Sequence, residues 1–453
     1  MTKSITNSVL NIFSSFIVLV AMAALPFSVI AQAHDAHTPA ATHEAAHSPA
    51  TTTTPETAAP AHVEGGQDAM HTAEGHGAEA HSCEEPLLNK EGKYDPKPGI
   101  FEHIGNSNEF HLFGHFAIPL PCILWSKEDG MTFCMSNKFE HGHTAYNRYV
   151  LVDGVVQRVT DASFPNGEVA VGCIEKEMGG KDAKEEIASV EYQGKQVGLQ
   201  KATTLLKGSS FIDFSISKNV FAMLLAALLL VLTFTKVASL YKTRVGQAPT
   251  GIQSFIEPIL VFIDTEVIKP MLGDRGPKYA PYIYTVFFFI LACNVLGLIP
   301  LFPGGANVTG NIGTTLVLAV FTFLITNLNG NRSYWGHIFN MPGVPLALKF
   351  LITPVEIIGV FTKPISLMIR LFANITAGHI IILNLISLIF VFGKVGTNLM
   401  GATAGTLMAV PFTLFMNIIE FVVALIQAFI FTILSASYIG AATEDHHHEE
   451  AHH

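Results

Sequence analysis

Residues able to move a proton or fix a charge stand out where the chain is otherwise apolar. Arg370 lies in Pro364-Ile-Ser-Leu-Met-Ile-Arg370-Leu-Phe-Ala-Asn374-Ile-Thr-Ala-Gly378-His379, and no Asp, Glu, Lys or Arg occurs from Leu371 to Gly393. A cation at the centre of a membrane helix costs ~2.5–3.5 kcal/mol even on the lenient insertion scale, and it usually marks an ion pathway or a partner carboxylate. Between Lys394 and Glu444 the only charged residue is Glu420, in Asn417-Ile-Ile-Glu420-Phe-Val-Val-Ala-Leu-Ile-Gln427. Histidine and glutamate exchange protons, whereas arginine keeps its charge in proteins. His379 and Glu420 are therefore candidate proton carriers, and Arg370 is a candidate fixed charge.

Helical periodicity arranges these groups. Glu420, Gln427 and Tyr438 are separated by seven and eleven residues, nearly whole numbers of turns, and so share a face. Arg370 and Asn374 share a face of the preceding segment, with Lys363 and Ser366 close to it. An antiparallel hairpin turning near Asn398–Gly401, which Gly396, Gly401 and Gly405 favour, sets Arg370 level with Gln427, and His379 within two residues of Glu420. The His/Glu level then lies roughly 10–14 Å from the Arg/Gln level. His379, nine residues after Arg370, is about half a turn off its stripe. The plainer readings are interhelical hydrogen bonding by Asn374 and Gln427, a satisfied core histidine, and a direct Arg370–Glu420 pair. That pair would be about one and a half turns off level.

The segments that must carry these residues follow from composition. At 49% hydrophobic and 14% charged, with acidic residues crowded into the first two hundred positions, the chain reads as a membrane protein with a polar appendage. Nothing resembles a basic nucleic-acid surface. Residues 1–33 have a signal-peptide layout, with Lys3, an apolar run from Val9 to about Leu25, and Ala31-Gln-Ala33. Residues 34–97 form a His/Ala/Thr-rich linker with too little apolar surface to order itself. Residues 98–208 alternate like strands, with hairpins at Asp153-Gly154 and across Val190–Val197. His111, His115, His141 and His143 lie here, and surface histidines are commoner than metal ligands. Cys83, Cys122, Cys134 and Cys173 allow three disulfide connectivities.

Spans are expected at 219–241, 280–300, 312–328, 350–392 and 406–441, with an amphipathic interfacial helix over 254–271. Lys236, Lys242 and Arg244 suit the cytoplasmic side. The 350–392 stretch would measure ~64 Å as a helix against a ~30 Å hydrocarbon core. It must be tilted, kinked near Pro354 or Pro364, or partly outside the bilayer. The fold class is thus an all-α polytopic membrane protein: five transmembrane helices, one interfacial helix and a long tilted C-terminal hairpin. A small β-rich exported N-terminal domain precedes them. A His/acidic cytoplasmic tail at 442–453 ends the chain.

Arg370-Leu-Phe-Ala-Asn374-Ile-Thr-Ala-Gly378-His379, with Glu420 and Gln427-Ala-Phe-Ile-Phe, closely resembles subunit a of the F-type ATP synthase. The likeness extends over Lys278-Tyr-Ala-Pro281, Asn294-Val-Leu-Gly-Leu-Ile-Pro300 and Lys363-Pro364-Ile-Ser-Leu, and covers approximately residues 209–441. It implies a proton-channel subunit that is not an enzyme by itself, needs no cofactor or metal, and sits in a bacterial inner membrane. The N-terminus would be periplasmic and the C-terminus cytoplasmic. Implied partners are an oligomeric c-ring, peripheral-stalk b subunits, the rest of the complex and membrane lipid. Arg370 matches the essential arginine, Asn374 and Gln427 its polar neighbours, and His379 with Glu420 the outer half-channel pair. The mechanism so implied needs an offset inner half-channel, for which Glu356 and Ser366 are the candidates. The acid and the histidine are exchanged relative to some members. The alternative is an independent ion-coupled secondary transporter, against which no internal repeat is evident. The signal peptide, linker and exported domain are departures, and the likeness is silent on them.

Overall fold

The structure, a computed structural model, describes residues 94–113, 116–178, 186–202, 211–299, 302–341, 344–394 and 397–444. The signal-peptide region, nearly all of the 34–97 linker, His115, Cys83 and most of the C-terminal tail lie outside them.

A short helix α1 (Lys97–Ile104) leads into a β region. Its strands are β1 (Glu109–Phe113), β2 (Phe116–Pro119), β3 (Pro121–Ser126), β4 (Gly130–Met135), β5 (Thr144–Tyr146) and β6 (Tyr149–Val152). They continue with β7 (Val155–Val159), β8 (Glu168–Ala170), β9 (Ile174–Met178), β10 (Glu186–Tyr192), β11 (Lys195–Lys201) and β12 (Phe211–Asp213). They form a β1–β2 hairpin, a seven-stranded sheet ordered β8-β5-β6-β7-β11-β10-β9, and a three-stranded sheet ordered β12-β3-β4. Asp153 (φ 50°) and Gly154 (φ 76°) turn β6 into β7, and Gln193 (φ 51°) with Gly194 (φ 74°) turns β10 into β11. Two successive positive φ values suit the right-handed twist of the paired strands.

Strand alternation builds the β core. Cys122 and Leu124 on β3 point inward with Phe139, Tyr149, Leu151, Val156 and Phe211, while Trp125 faces out. The other face of the larger sheet buries Ala145, Val150, Val152, Val159, Val190 and Leu199. β12 pairs with β3 although it lies beyond position 208, the expected edge of the β region. The chain reaches back to close the small sheet before entering the first long helix, so the strands extend past that edge.

The apolar part follows. Helix α2 (Lys218–Thr243) begins after Ser217, whose side chain makes no capping hydrogen bond. Helix α3 (Ile252–Ile263) passes through a π turn (Asp264–Ile268), a helical turn (Lys269–Leu272) and a 3-10 turn (Gly273–Arg275) into α4 (Gly276–Leu298). Gln253, Ile256, Ile263, Val267, Ile268 and Leu272 form one buried stripe along this path, and Phe255, Val261 and Glu266 are exposed. That is the two-faced pattern the charge spacing over 254–271 implies. Next come α5 (Ile312–Leu328), α6 (Arg332–Phe339, bent 101° from α5), α7 (Leu346–Gly393) and α8 (Leu399–Thr443). Among the described residues, four helices are long and apolar enough to cross a membrane, or five if the bent α5–α6 pair counts as one span.

Three details differ from the sequence reading. α7 is unbroken through Pro354 and Pro364 and has 48 residues, so it measures ~72 Å at 1.5 Å per residue. A break at either proline is thereby removed, and a steep tilt or a stretch outside a ~30 Å core is left. α8 starts at Leu399 rather than 406, because Asn398 caps it by accepting from the Gly401 backbone N–H. Gly401 and Gly405 are not turn residues. A methyl on Gly401 would meet the Phe392 carbonyl at 2.0 Å, and one on Gly405 would meet Ile389 Cα at 3.2 Å. They let α8 press against α7, and the turn falls at Lys394, whose φ is 46°.

The β region sits at the start of α2, at one end of the bundle. Phe110 of β1 packs edge-on against Phe221 of α2 (5.6 Å) and Phe302 of the α4–α5 loop (5.4 Å). Tyr94 stacks on Phe390 at the same end of α7. At the opposite end, Asn331 joins α6 to α8 by donating its backbone N–H to the Ala442 carbonyl and its amide to the Thr443 carbonyl.

Candidate functional site

The α7–α8 hairpin brings His379 and Glu420 into direct contact, Nδ1 of the imidazole against Oε1 of the carboxylate. Both lie inside the protein, Glu420 at 3% exposure. Glu420 Oε2 has no hydrogen-bond partner among the described residues. The approach depends on a glycine, since a methyl at Gly378 would stand 2.9 Å from Glu420 Oε1. Gly297 of α4 similarly leaves room beside His379, its notional methyl lying 3.8 Å from Nε2 and 3.1 Å from the Ala306 carbonyl.

The α4–α5 loop encloses this pair on the side of the β region. Thr376, one turn before His379, donates to the Gly310 carbonyl at 3.2 Å. Thr309 donates to Asn294 Oδ1, and the Asn294 amide donates at 3.2 Å to the Ala424 carbonyl, one turn after Glu420. One loop is thus tied to both helices that supply the pair. Asn294, Thr309 and Thr376 were not picked out as site residues by sequence reasoning. The available signal was the cost of a buried amide in an apolar span, which applies to Asn294.

Arg370 is on α7, nine residues from His379 and further from the β region, an axial step of ~14 Å. It is exposed and makes no hydrogen bond or ion pair among the described residues. A direct Arg370–Glu420 pair is absent, because Glu420 turns to His379. Ser366, Arg370, Asn374 and the small residues Ala373 and Ala377 make one exposed stripe, and Val360, Leu367, Leu371 and Ile375 are buried on another. Gln427 is buried, with Ala424, Ala428 and Phe431 on the packed face of α8. Thus the structure joins His379 to Glu420 and puts Arg370 with Asn374 and Ser366, but makes no Arg370–Gln427 bond. Glu356 is half-buried, fourteen residues before Arg370, or ~21 Å along the axis. Near it, Lys363 lies over the Tyr438 ring, 5.6 Å from its centroid.

Among the described residues, no three His, Cys, Asp or Glu side chains gather as metal ligands. In the β region His141 Nδ1 instead lies 3.2 Å from the buried Glu109 carboxylate. Cys173 is disulfide-bonded, while Cys122, Cys134 and Cys293 are free thiols.

Long apolar helices, with a buried acid–imidazole pair and an exposed arginine among them, define a polytopic membrane protein. Comparison with known proteins is specific. Residues 220–440 match the family described as ATP synthase A chain, and residues 99–191 match a domain of unknown function. ATP synthase subunit a of Pelodictyon phaeoclathratiforme is 43% identical over 245 residues, which cover 53% of this chain and 68% of the relative. ATP synthase subunit a of Chlorobium phaeobacteroides is 45% identical over 248 residues, covering 53% and 70%. The Myxococcus xanthus subunit a is 38% identical over 247 residues, covering 53% and 77%. The chain belongs to the ATP synthase subunit a family.

Proposed function

We propose that this chain is the stationary proton-channel subunit of a rotary ATP synthase, acting against an oligomeric c-ring and held by the peripheral stalk. The observation that carries the reading is Arg370: an exposed arginine on a long apolar helix, without a counter-ion among the described residues, ~14 Å from a buried His379–Glu420 pair. A charge so costly in a membrane calls for a partner carboxylate, and the exposed stripe it shares with Ala373 and Ala377 suits the close approach of another helix. Such an outward-facing arginine also disfavours an independent transporter, whose substrate site would lie between its own helices.

Protons enter from the side of the β region, pass between His379 and Glu420, and neutralise a ring carboxylate. After rotation they leave toward the opposite side along a path that includes Ser366 and Glu356. Arg370 draws each arriving ring site into its ionised form. Its permanent charge also blocks direct proton leakage between the two half-channels, a task for which a buried lysine, able to deprotonate, is less suited. Asn374 shares the exposed stripe of Arg370 and is its polar neighbour there, while Gln427 sits on the packed face of α8. The chain performs no covalent chemistry, and ATP is made on other subunits. In this orientation the β region is periplasmic and residues 442–453 are cytoplasmic.

Proton pumping by inverted membrane vesicles tests this. Arg370→Ala is expected to abolish ATP-driven acidification while the complex still assembles. Full pumping by an assembled Arg370→Ala complex would refute the assignment.

A further inference from the structure

The channel leaves the cysteines of the β region unexplained. Cys122 on β3 and Cys134 on β4 are direct cross-strand partners in the antiparallel register. Opposed residues send their side chains to the same face of a sheet. Here that is the inner face, where both thiols sit beside Leu124, Phe139, Tyr149 and Phe211. Opposed Cα atoms in an antiparallel ladder are ~4.5–5.5 Å apart, within the ~4.4–6.8 Å range that a disulfide spans.

Cys122 Sγ donates to the Leu120 carbonyl at 3.8 Å and accepts from the Asn108 amide at 3.7 Å. The facing thiols also influence each other: Cys122 holds the Cys134 thiol below its ordinary value, and Cys134 together with burial pushes Cys122 up. Cys134 is also the less enclosed, at 6% exposure against 0% for Cys122. A metal site is disfavoured, since no third ligand joins the pair among the described residues. Paired burial as small hydrophobes remains the ordinary alternative. Against it stands Cys173, disulfide-bonded in the same β region. Disulfides persist in oxidising compartments, and a compartment that keeps Cys173 oxidised also acts on two thiols facing each other.

We propose that Cys122 and Cys134 are a disulfide-forming pair, closed in the mature protein by exchange with an external disulfide carrier. The Cys134 thiolate attacks one sulfur of the carrier disulfide, forming a mixed disulfide and expelling the first carrier thiolate. Cys122 then gives its proton to solvent and attacks Cys134 Sγ, expelling the second. The two cysteines lose two electrons and two protons, and the carrier disulfide becomes two thiols. Exchange takes place during folding, before Phe139 and Tyr149 close over the pair. The bridge fastens β4 to β3, the strand that also holds β12 and so the chain entering α2. This inference rests on the β region facing an oxidising compartment and is independent of the channel chemistry.

The test uses the full chain in its native complex, from membranes harvested into excess N-ethylmaleimide and digested with trypsin without reductant. Cleavage after Lys127 and Lys138 separates Cys122 from Cys134. The expected product is a linked peptide pair lighter by two hydrogens than its free components, lost on dithiothreitol treatment and missing from Cys134→Ser. Recovery of both cysteines as maleimide adducts from wild-type protein would overturn the proposal, whether or not Cys173 stays bonded. Linkage of either cysteine to Cys83 would overturn it equally. The deciding measurement is on wild-type protein, so misfolding of a variant does not affect it.

Discussion

His379 and Glu420 occupy equivalent positions in the proposed relay, because a path through them requires one acid and one imidazole in contact, whichever helix carries each. Exchanging them is therefore informative. Glu420→His or His379→Glu alone leaves two like groups in a buried pocket, and pumping is expected to fall by roughly 10²-fold, the lower range for a positioned proton-transfer group. The double exchange restores one of each and is expected to recover a substantial part of the rate. Vesicle acidification measured on the three variants checks this, and a double variant no better than the singles would argue that the pocket requires this orientation. The pair was legible in the sequence because helical spacing and the hairpin level were enough to bring 379 near 420. The setting of Arg370 was only partly legible. Its stripe with Asn374 and Ser366 follows from spacing, but which side of α8 Gln427 presents depends on packing against α4 and α5, which hairpin periodicity does not contain.

At the scale of elements, the glycines of the hairpin show how local signals mislead. Gly401 and Gly405 read as turn formers, yet both serve close helix contact, a purpose visible only once the partner backbone is in place. The β elements were easier, since Asp153-Gly154 has the residue types that two positive φ values demand. Their stability has a pH signature. Arg148 and Arg158, both buried, converge on Glu128 and Asp129 in the β3–β4 turn, with Arg158 Nη2 donating to Glu128 at 2.7 Å and Nε to Asp129 at 3.0 Å. Burial alone would raise the Asp129 carboxyl, but hydrogen bonds and charge from Arg158 and Arg148 outweigh it and hold it below its ordinary value. A depressed carboxylate contributes stability that is fully present above its unfolded value of ~3.9 and is lost as pH falls through the folded value. Arg158→Met is expected to cost about 2 kcal/mol at neutral pH, the scale of hydrogen bonds to charged groups. The gap to wild type should narrow below about pH 4. Denaturation of the purified chain followed by Trp125 fluorescence, in a Trp335→Phe background, measures both limbs.

For the whole molecule the question is whether the β region acts on the channel or merely accompanies it. The contacts run without a gap from one to the other. Phe110 of β1 packs on Phe302, which opens the α4–α5 loop, and the same loop reaches Gly297 beside His379, Thr376 on α7 and, through Asn294, the Ala424 carbonyl on α8. On the proposed path, protons arriving from that side pass this loop, so its position would set how open the His379–Glu420 pocket is. Phe110→Ala removes a ring that is 95% buried and is expected to cost about 3 kcal/mol of docking stability, the low end for such truncations. If the β region holds the loop in register, the variant complex should assemble, exchange backbone amide hydrogens faster over 302–311, and pump more slowly. Its dependence on outer pH should shift while that on inner pH stays unchanged. A purely accessory β region predicts faster exchange in β1 and β2 alone, with pumping at the wild-type rate. Hydrogen exchange read alongside the two pH profiles separates these outcomes, because a general loss of stability would depress pumping at every pH on both sides.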